Sequence, residues 1–352
     1  MLPEPVSLPL AWDEFSQIID VRAPAEFEED HLPGAINLPV LSDAERHEVG
    51  LLHATNAFDA RRVGATLVTK NIHHHLAETL QDKPRDYAPL LYCWRGQMRS
   101  RSFATILKAV GWRARVLQGG YKSWRKWLMA DLPRVIDENP WQFHVLSGLT
   151  GCGKTRLLYE LEAQGAQILD LEGLANHKGS ILGEPWQSEQ PNQKLFESRL
   201  WHTFTKLDPA RPIFIEAEAN RIGKIQVPPA LWHQLAKAQV TEIGLPLPER
   251  AKLLAADYPH FIDHPDDLAA TLDRLRKLRS NETVDRWHAQ IAAKDWPAFL
   301  ESILRDHYDL SYRRAGDPGS NYHLPAQTIT IPTFTEKDLA QTAHQLLSIP
   351  SA

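Results

Sequence analysis

The chain has 352 residues, of which 43% are hydrophobic and 24% are charged. This length and composition suffice for two domains that each bury a core. The formal net charge of −5 argues against a protein that coats nucleic acid nonspecifically. Only two cysteines occur, which argues against a disulfide framework and against a zinc site made of cysteines.

The N-terminal segment lacks the basic flank and the continuous apolar core of a signal peptide. No stretch approaches the roughly eighteen apolar residues that a membrane-spanning helix needs. We therefore expect a cytoplasmic protein that works in a reducing compartment and does not associate with a membrane.

The first part of the chain alternates short apolar strands with helices. Apolar runs predict strands at residues 17–21, 89–93 and 114–117, and helical spacing predicts helices at residues 25–30 and 97–111. Strands that alternate with helices indicate a parallel sheet that is covered on both faces. Residues 42–81 have a helical pattern and form an unusually long connection.

The apolar pattern is interrupted at Pro133, Asp137, Asn139 and Pro140. We place the domain boundary here, with a first domain over residues 1–138 and a second over residues 139–352. In the second domain, the pattern predicts strands at residues 143–147, 166–170, 212–216 and 240–244, with a helix at 155–164. From residue 246 to residue 307 the spacing is largely helical, so we expect an α/β domain with a helical C-terminal part.

Cys93 lies between an apolar strand and an arginine-rich loop that contains one glycine. The loop amides, the positive end of the following helix and the two arginines all favour a thiolate and would hold an anionic substrate. Such a thiolate can take a chalcogen atom from an anionic donor and pass it to an acceptor. We predict Cys93, Arg95 and Arg99 as catalytic residues. The rest of the predicted active-site loop is Trp94, Gly96, Gln97 and Met98.

A second loop, residues 148–155, matches the phosphate-loop pattern G-x-x-x-x-G-K-[ST] at every specified position. The glycines let backbone amides approach phosphates, Lys154 supplies a mobile cation, and Thr155 can ligate Mg²⁺. Cys152 occupies an unspecified position, where we expect a small space-filling residue. The predicted phosphate-binding residues are Gly148, Gly151, Cys152, Gly153, Lys154 and Thr155.

The strand predicted at residues 212–216 ends in an acid, as the magnesium-directing strand of P-loop proteins does. Glu218 follows on the same side if that strand continues. The usual aspartate is absent and no N-K-x-D occurs in a suitable place, so the sequence predicts diphosphate binding and leaves nucleotide turnover open. We expect no tightly bound cofactor, and the one metal candidate is Mg²⁺ held through Thr155 and Glu216.

Polar blocks at residues 176–180, 190–197 and 216–223 separate apolar elements of the second domain. We expect these blocks to be loops that line a substrate cleft, because a phosphate loop lies at the same end of the predicted sheet. The candidate cleft residues are His177, Lys178, Ser180, Gln190, Gln193, Glu216, Glu218 and Arg221.

Basic residues are clustered in three places. Arg99, Arg101, Lys108, Arg113 and Arg115 flank the cysteine loop, residues 274–279 form a second cluster, and Arg313 with Arg314 forms a third. Each cluster is either a local surface for an anionic partner or an ordinary solvated helix face.

Three segments in the first domain resemble the rhodanese-type sulfurtransferases. Residues 20–27 and 31–39 are similar to the opening signature of that family, and residues 116–124 are similar to the segment after its active loop. Cys93 stands where the family carries its persulfide-forming cysteine. Residues 93–99 also fit the C-x-x-x-x-x-R cradle of cysteine-dependent phosphatases, although Tyr92 stands where those enzymes usually have histidine. A selenophosphate-like or thiophosphate-like donor would suit both patterns.

The two halves together resemble the bacterial tRNA 2-selenouridine synthases over nearly the whole chain. The resemblance implies an α/β protein, with an N-terminal rhodanese-like parallel-sheet domain followed by a P-loop NTPase-like α/β domain and a helical C-terminal part. It implies replacement of sulfur by selenium in the wobble 2-thiouridine of tRNA, with selenophosphate as donor, through an S-geranylated intermediate made from geranyl diphosphate.

On this interpretation Cys93 carries selenium, and Arg95 and Arg99 steady the donor. From charge and spacing we infer that the P-loop half binds geranyl diphosphate. The expected partners are the anticodon region of tRNA, selenophosphate and geranyl diphosphate. The alternatives are a sulfurtransferase that uses thiosulfate or a similar donor, a cysteine-dependent phosphatase fused to a P-loop NTPase, and a nonenzymatic tRNA-binding scaffold. A scaffold is disfavoured because it has no need of a thiolate loop.

Overall fold

The computed structural model describes residues 2–179, 188–314 and 325–349, without the side chains of 312–314. Contacts divide the chain into two units: Met1–Arg134 with Pro191–His202, and Val135–Gln190 with Thr203–Ala352. Each unit contains a five-stranded sheet. Among the described residues, no helix is both long enough and apolar enough to cross a membrane.

The sheet of the first unit is parallel throughout, as the alternating pattern predicts. Its strands are β1 (Pro5–Val6), β2 (Gln17–Asp20), β3 (Ala35–Asn37), β4 (Pro89–Tyr92) and β5 (Arg115–Leu117). The strand order is β1-β5-β4-β2-β3, so β4 is central. All four residues of β4 are buried, which is typical of a parallel strand that is covered on both faces.

Five helices belong to this part of the chain: α1 (Pro24–Glu29), α2 (Asp43–Thr55), α3 (Ala57–Glu78), α4 (Met98–Val110) and α5 (Gly120–Glu138). The long predicted connection is the pair α2 and α3. Helix α2 begins with a reciprocal cap between Ser42 and Glu45. Helix α5 runs through Pro133, where the sequence pattern predicts an interruption. Burial of Leu132 and Ile136 on either side offsets the backbone hydrogen bond that a proline removes.

The second unit is built around β6 (Phe143–Ser147), which is the central strand of its sheet. The other strands are β7 (Gln167–Leu169), β8 (Ile213–Glu216), β11 (Gln239–Gly244) and β12 (Gln327–Thr330), in the order β12-β11-β6-β8-β7. All neighbours in this sheet are parallel. A separate antiparallel hairpin joins β9 (Arg221–Ile222) to β10 (Ile225–Gln226).

Strand β12 is absent from the sequence-based prediction. Of its four residues only Ile329 is buried, because β12 lies at the edge of the sheet and pairs with β11 alone. An edge strand of this kind gives too short an apolar run to be recognised by periodicity.

The remaining helices fill the rest of the chain. They are α6 (Lys154–Ala163), α7 (Leu171–Ala175), α8 (Gln193–Phe204), α9 (Pro229–Leu235), α10 (Leu247–Asp257), α11 (Pro259–Asp263), α12 (Pro265–Asp273), α13 (Asn281–Ala292), α14 (Trp296–Ile303), α15 (Asp309–Arg314) and α16 (Glu336–Leu347). Helices α10 and α12–α14 share an apolar core around Leu272, Trp287 and Phe299, which confirms the expected helical C-terminal part.

Helix α8 corrects the prediction that residues 190–197 form a loop. Phe196 and Leu200 are four residues apart and buried, so the segment has an apolar helical face. The Asn192 side chain accepts hydrogen bonds from two amides at the start of the helix. Residues 191–202 also group with the first unit and not with the phosphate-loop unit.

Candidate functional site

Cys93 follows β4 directly and begins the loop that leads into α4. Because β4 is central and parallel, it presents the cysteine at the carboxyl edge of the sheet. Cys93 is only 3% exposed and lines an open cleft of about 730 Å³. The walls come from the loop itself, from Glu26 and Glu29 of α1, and from Asp43 and Arg46 of α2.

Two glycines let the cysteine loop lie against the segment at residues 116–124. Gly96 and Gly120 both have positive φ, at 63° and 59°. A Cβ on Gly96 would lie 2.3 Å from the Leu117 carbonyl oxygen, and one on Gly120 would lie 2.1 Å from that of Cys93. The Tyr121 N–H donates to the Cys93 carbonyl at 2.9 Å. This contact fixes the backbone that carries the thiol.

A buried ion pair lies behind the loop. Arg22 donates to Asp20 over 2.6–3.1 Å, and both side chains are buried. The Arg22 guanidinium lies 4.0 Å from the centre of the Tyr121 ring, and the Tyr121 hydroxyl donates to Asp30 at 2.7 Å. Tyr121 packs in turn against Trp94, with 5.3 Å between ring centres. Asp20 and Arg22 of the opening signature therefore support the loop, whereas Glu26 of the same signature lines the cleft.

Hydrogen-bond donors around Cys93 favour its thiolate. Burial alone raises the pKa of the thiol. The Ser100 hydroxyl and amide, the charge of Arg99 and the Arg95 amide outweigh burial and lower the pKa below its ordinary value. The Ser100 hydroxyl lies 3.3 Å from the Cys93 sulfur. Sequence reasoning missed Ser100, although a hydroxyl in the first turn of the helix after the loop is a usable signal.

The two arginines of the loop differ in burial and in ion pairing. Arg99 is half-buried and pairs with Glu26 at 3.1 Å, and Arg46 approaches the same carboxylate at 3.8 Å. Arg46 is a second cleft cation that the sequence analysis did not single out. Arg95 contributes its amide toward Cys93, while its side chain is exposed. Arg46, Arg95 and Arg99 thus give the cleft three cations that can hold an anionic donor.

The phosphate loop follows the central strand of the second unit in the same way. Gly148, Gly151 and Gly153 have positive φ, and a Cβ on Gly148 would lie 2.4 Å from the Ile243 carbonyl oxygen. The Lys154 ammonium donates to the Gly148 carbonyl at 2.9 Å, at the start of α6. The loop therefore offers amides, a helix N-terminus and a cation to a diphosphate. Cys152 is 1% exposed and packs in the apolar core of this unit.

Three carboxylates converge next to Lys154. Glu216 ends β8, Glu218 follows it, and Glu172 lies in α7; their nearest oxygens are within 4.8 Å of one another. Burial raises the pKa of all three, and repulsion within the cluster adds to this, while Lys154 acts in the opposite direction. The pKa of Glu216 is raised to about 8. Thr155 lies beside Glu216 and its hydroxyl partly offsets the shift.

Comparison with known proteins assigns both units. The family model for the rhodanese-like domain matches residues 7–126, and that for the tRNA 2-selenouridine synthase AAA domain matches residues 141–274. The chain is 31% identical over 328 residues to the tRNA 2-selenouridine synthase of Marinobacter nauticus, covering 84% of this chain and 87% of the relative.

The protein of the same name from Psychromonas ingrahamii is 34% identical over 328 residues, with the same coverage of the two chains. The one from Alcanivorax borkumensis is 31% identical over 340 residues and covers 85% of this chain and 90% of the relative. The chain belongs to the tRNA 2-selenouridine synthase family. This membership confirms the expected combination of a rhodanese-like domain with a P-loop domain.

Within this member of the family, the predicted cleft residues of the second unit fall into separate groups. Glu216 and Glu218 lie beside the phosphate loop. Gln190 holds the β9–β10 hairpin through the Ile222 carbonyl and the Lys224 amide. Arg221 donates to the hairpin itself, at the Gly223 carbonyl.

The other predicted cleft residues are placed elsewhere. A Cβ on Gly223 would lie 2.7 Å from the His177 ring, so His177 is packed against the hairpin. The Lys178 ammonium donates to the Asp257 carbonyl at 3.0 Å. Gln193 lies on α8, where it donates to Glu197, and belongs to the first unit. Gln193 thus lies on a helix of the first unit, whereas the sequence predicts it in a loop of the second domain. Ser180 lies outside the described residues.

Proposed function

We propose that this protein replaces sulfur by selenium in the wobble 2-thiouridine of tRNA. Selenophosphate is the selenium donor, and the reaction passes through an S-geranylated base made from geranyl diphosphate. The observation that carries the proposal is the Cys93 thiol, which has a lowered pKa and lies in a cleft with three arginines. The family relationship supports tRNA as the acceptor.

Cys93 is the selenium carrier in this proposal. Its thiolate attacks the selenium atom of selenophosphate, a sulfur–selenium bond forms, and the selenium–phosphorus bond breaks with its electron pair on phosphorus, which takes up a proton and leaves as phosphite. Arg99 and Arg46 bind the donor's phosphoryl oxygens in place of Glu26. The terminal selenium then attacks C2 of the geranylated base, and the geranyl thiolate leaves. Two equivalents of a small-molecule thiol reduce the remaining sulfur–selenium bond, leave as a disulfide, and free both the selenium-containing base and Cys93.

The phosphate loop binds geranyl diphosphate in this proposal. The sulfur of 2-thiouridine attacks C1 of the geranyl chain, the carbon–oxygen bond breaks, and diphosphate leaves. Negative charge that develops on the leaving group is stabilised by the loop amides and by Lys154. The geometry supports this role because Lys154 lies at the N-terminus of α6, where backbone amides are free of partners within the helix.

Mg²⁺ fits the carboxylates beside this loop. Glu216 is buried, and its Oε1 has no hydrogen-bond partner in the part of the chain that the structure describes. Carboxylate and hydroxyl oxygens are the ligands that Mg²⁺ prefers. Glu216 and Thr155 would hold the ion, with Glu172 and Glu218 adjoining. A bound ion would neutralise part of the diphosphate charge.

Mass spectrometry of nucleosides tests the function directly. tRNA with wobble 2-thiouridine is incubated with the protein, geranyl diphosphate, selenophosphate and a thiol, and each donor is omitted in turn. We expect geranylated 2-thiouridine without selenophosphate, 2-selenouridine with both donors, and no product without geranyl diphosphate. Cys93→Ala should abolish selenouridine and keep geranylation. If neither product forms with the full mixture, the proposal is wrong.

Three assays separate the alternatives. A plain sulfurtransferase would convert thiosulfate and cyanide without RNA, a cysteine-dependent phosphatase would release phosphate from an aryl phosphate, and an NTPase would hydrolyse nucleotide. We expect each of these activities to be far slower than selenouridine formation. A dominant activity in any of them would replace the proposed function with that alternative.

A further inference from the structure

The cleft that contains Cys93 has a neighbour. A second cleft of about 590 Å³ runs along the start of α4 and is lined in part by Arg101, Ser102 and Thr105. Gln97 and Met98 line both clefts, and Met98 is 67% exposed. The two clefts therefore form one continuous surface that leads from the face of α4 to the cysteine.

Two cations on this surface have no side-chain partner in the described part of the chain. The side chains of Arg95 and Arg101 are exposed, and neither makes a hydrogen bond or ion pair among residues 2–179, 188–314 and 325–349. Other arginines of the same sequence cluster are engaged. Arg113 donates to the Asp86 carbonyl, and Arg115 pairs with Glu14.

The basic cluster at residues 274–279 is similarly engaged. Arg276 pairs with Asp273 and Asp285, and Arg279 donates to the backbone of residues 306 and 307. The arginines of that cluster are engaged in intramolecular contacts, whereas Lys277 is exposed. The unpartnered arginines near Cys93 are instead available to an anionic partner.

An aromatic ring lines the cleft that contains the nucleophile. Trp94 is adjacent to Cys93 in the chain, lines the same cleft and is 37% exposed. One side of its ring packs against Tyr121, and the Arg22 guanidinium lies 4.0 Å from the centre of the Tyr121 ring. The Trp94 amide plane is held as well, because the Lys122 N–H donates to its carbonyl at 3.0 Å. The ring is therefore a fixed, partly open platform beside the thiol.

We propose that Trp94 is the stacking platform for the nucleobase under modification, and that Arg101 binds the RNA backbone beside it. This inference rests on the proposed function. Cys93 is almost fully buried at the base of its cleft, so an acceptor must be thin enough to enter. A single flipped-out base meets this condition, and stacking on an aromatic ring with arginines on the flanking phosphates is how single-stranded RNA is commonly held.

RNA binding measures the platform directly. A fluorescent anticodon stem-loop with wobble 2-thiouridine is titrated with wild-type protein, Trp94→Leu, Trp94→Phe, Arg101→Ala and the control Arg62→Ala. Arg62 is an exposed arginine of α3 that lines neither cleft. We expect Trp94→Leu to weaken binding about tenfold and Trp94→Phe to restore most of the loss, because base stacking needs an aromatic ring.

Arg101→Ala should reduce the slope of log affinity against log salt by about one, whereas Arg62→Ala should not change it. Thermal melts and circular dichroism of each variant check that it is folded. If folded Trp94→Leu binds the RNA as wild type does, the inference is wrong. A loss in Trp94→Leu that phenylalanine does not restore also contradicts stacking.

Selenium loading distinguishes an RNA surface from a donor-protein surface. Intact-protein mass spectrometry follows loading of Cys93 by selenophosphate without RNA. Support for the inference is a higher KM for RNA in Arg101→Ala with the wild-type loading rate. If loading slows by the same factor as transfer to RNA, the surface serves donor delivery and the inference fails. If the wild-type protein forms selenouridine and the variants bind and modify RNA as well as it does, only the inference about Trp94 and Arg101 is wrong. If the wild-type protein forms no selenouridine, the proposed function itself is wrong.

Discussion

The two loops of this chain share one architecture and differ in their electrostatics. Each follows the central strand of a parallel sheet, uses glycines with positive φ and leads into a helix. At the first loop the pKa of Cys93 is lowered, and at the second the pKa of Glu216 is raised to about 8. Both groups are buried, so burial alone raises both pKa values. The difference comes from what each one faces.

Cys93 faces hydrogen-bond donors and a cation, whereas Glu216 faces two other carboxylates. The donors at the first loop stabilise an anion that belongs to the protein, namely the thiolate. At the second loop Lys154 and the Thr155 hydroxyl also act on Glu216, but burial and the two neighbouring carboxylates outweigh them. The first loop therefore stabilises an anion of the protein itself, the Cys93 thiolate. The second loop offers its amides and Lys154 to an anionic ligand, with or without a bound metal cation.

The strongest test of this contrast removes the cation of the second loop. Lys154→Ala should slow geranylation by about 10²–10³-fold, because a preorganised donor to the leaving group is lost. The rate at which iodoacetamide alkylates Cys93 should not change. Geranylation is measured with 2-thiouridine RNA and geranyl diphosphate, without selenophosphate.

Arg156→Ala is the matched control, because Arg156 is a cation in the same turn of α6 as Lys154. Its side chain pairs with Asp257. We expect the control to retain geranylation. If Arg156→Ala and Lys154→Ala lose the same activity, the effect is one of general charge and Lys154 has no special role.

A second test breaks the loop geometry without changing charge. Gly96→Ala places a methyl group 2.3 Å from the Leu117 carbonyl, so we expect a loss of about 2–4 kcal/mol in the free energy of unfolding. Gly34→Ala is the control, since Gly34 has φ of 71° and nothing within 4 Å of an added Cβ. It should cost about 1 kcal/mol, from backbone strain alone. Chemical denaturation of both variants measures the difference, and equal losses would contradict the close approach.

A third test weakens the thiolate. Ser100→Ala removes the hydroxyl that lies 3.3 Å from the Cys93 sulfur. Because a hydrogen bond to a charged group contributes about 1.5–3 kcal/mol, the pKa of Cys93 should rise by about one unit or more. The pH profile of alkylation should then move to higher pH, and selenium loading at neutral pH should slow. Ser100→Thr keeps the hydroxyl and should keep the wild-type profile; a shift in both variants would point to packing and not to the hydrogen bond.

The sequence predicted those parts of the sites that are contiguous in the chain. Cys93 and its loop, and the phosphate loop, can be identified because their glycines and cations lie within eight residues. Ser100 and Arg46 were missed. Nothing in the local sequence shows that the first turn of α4, which carries Ser100, or the distant helix α2, which carries Arg46, lies next to the cleft. Glu172 was missed for the same reason, since it reaches Glu216 only when β7 and β8 lie side by side.

Helix α8 shows the opposite error. Its polar residues suggested a cleft loop, while its buried residues at helical spacing indicate a packed helix. The polar composition of the block masked that spacing. Residues 191–202 group with the first unit. Which unit a segment packs against is decided by tertiary contacts, so local composition does not predict it.

The smallest expected effect concerns repulsion among the carboxylates. Glu218→Gln removes one acid from the cluster. A buried acid whose folded pKa is raised loses stability as pH rises from its unfolded value near 4.5 through the folded value, which for Glu216 is about 8. In the presence of a chelator, Glu218→Gln should therefore raise Tm relative to wild type more at pH 8 than at pH 6. Glu242→Gln, on β11, is the comparison variant, because Glu242 lies outside the carboxylate cluster. A wild-type protein whose Tm is as high at pH 8 as at pH 6 would mean that the three carboxylates do not repel one another as their geometry requires.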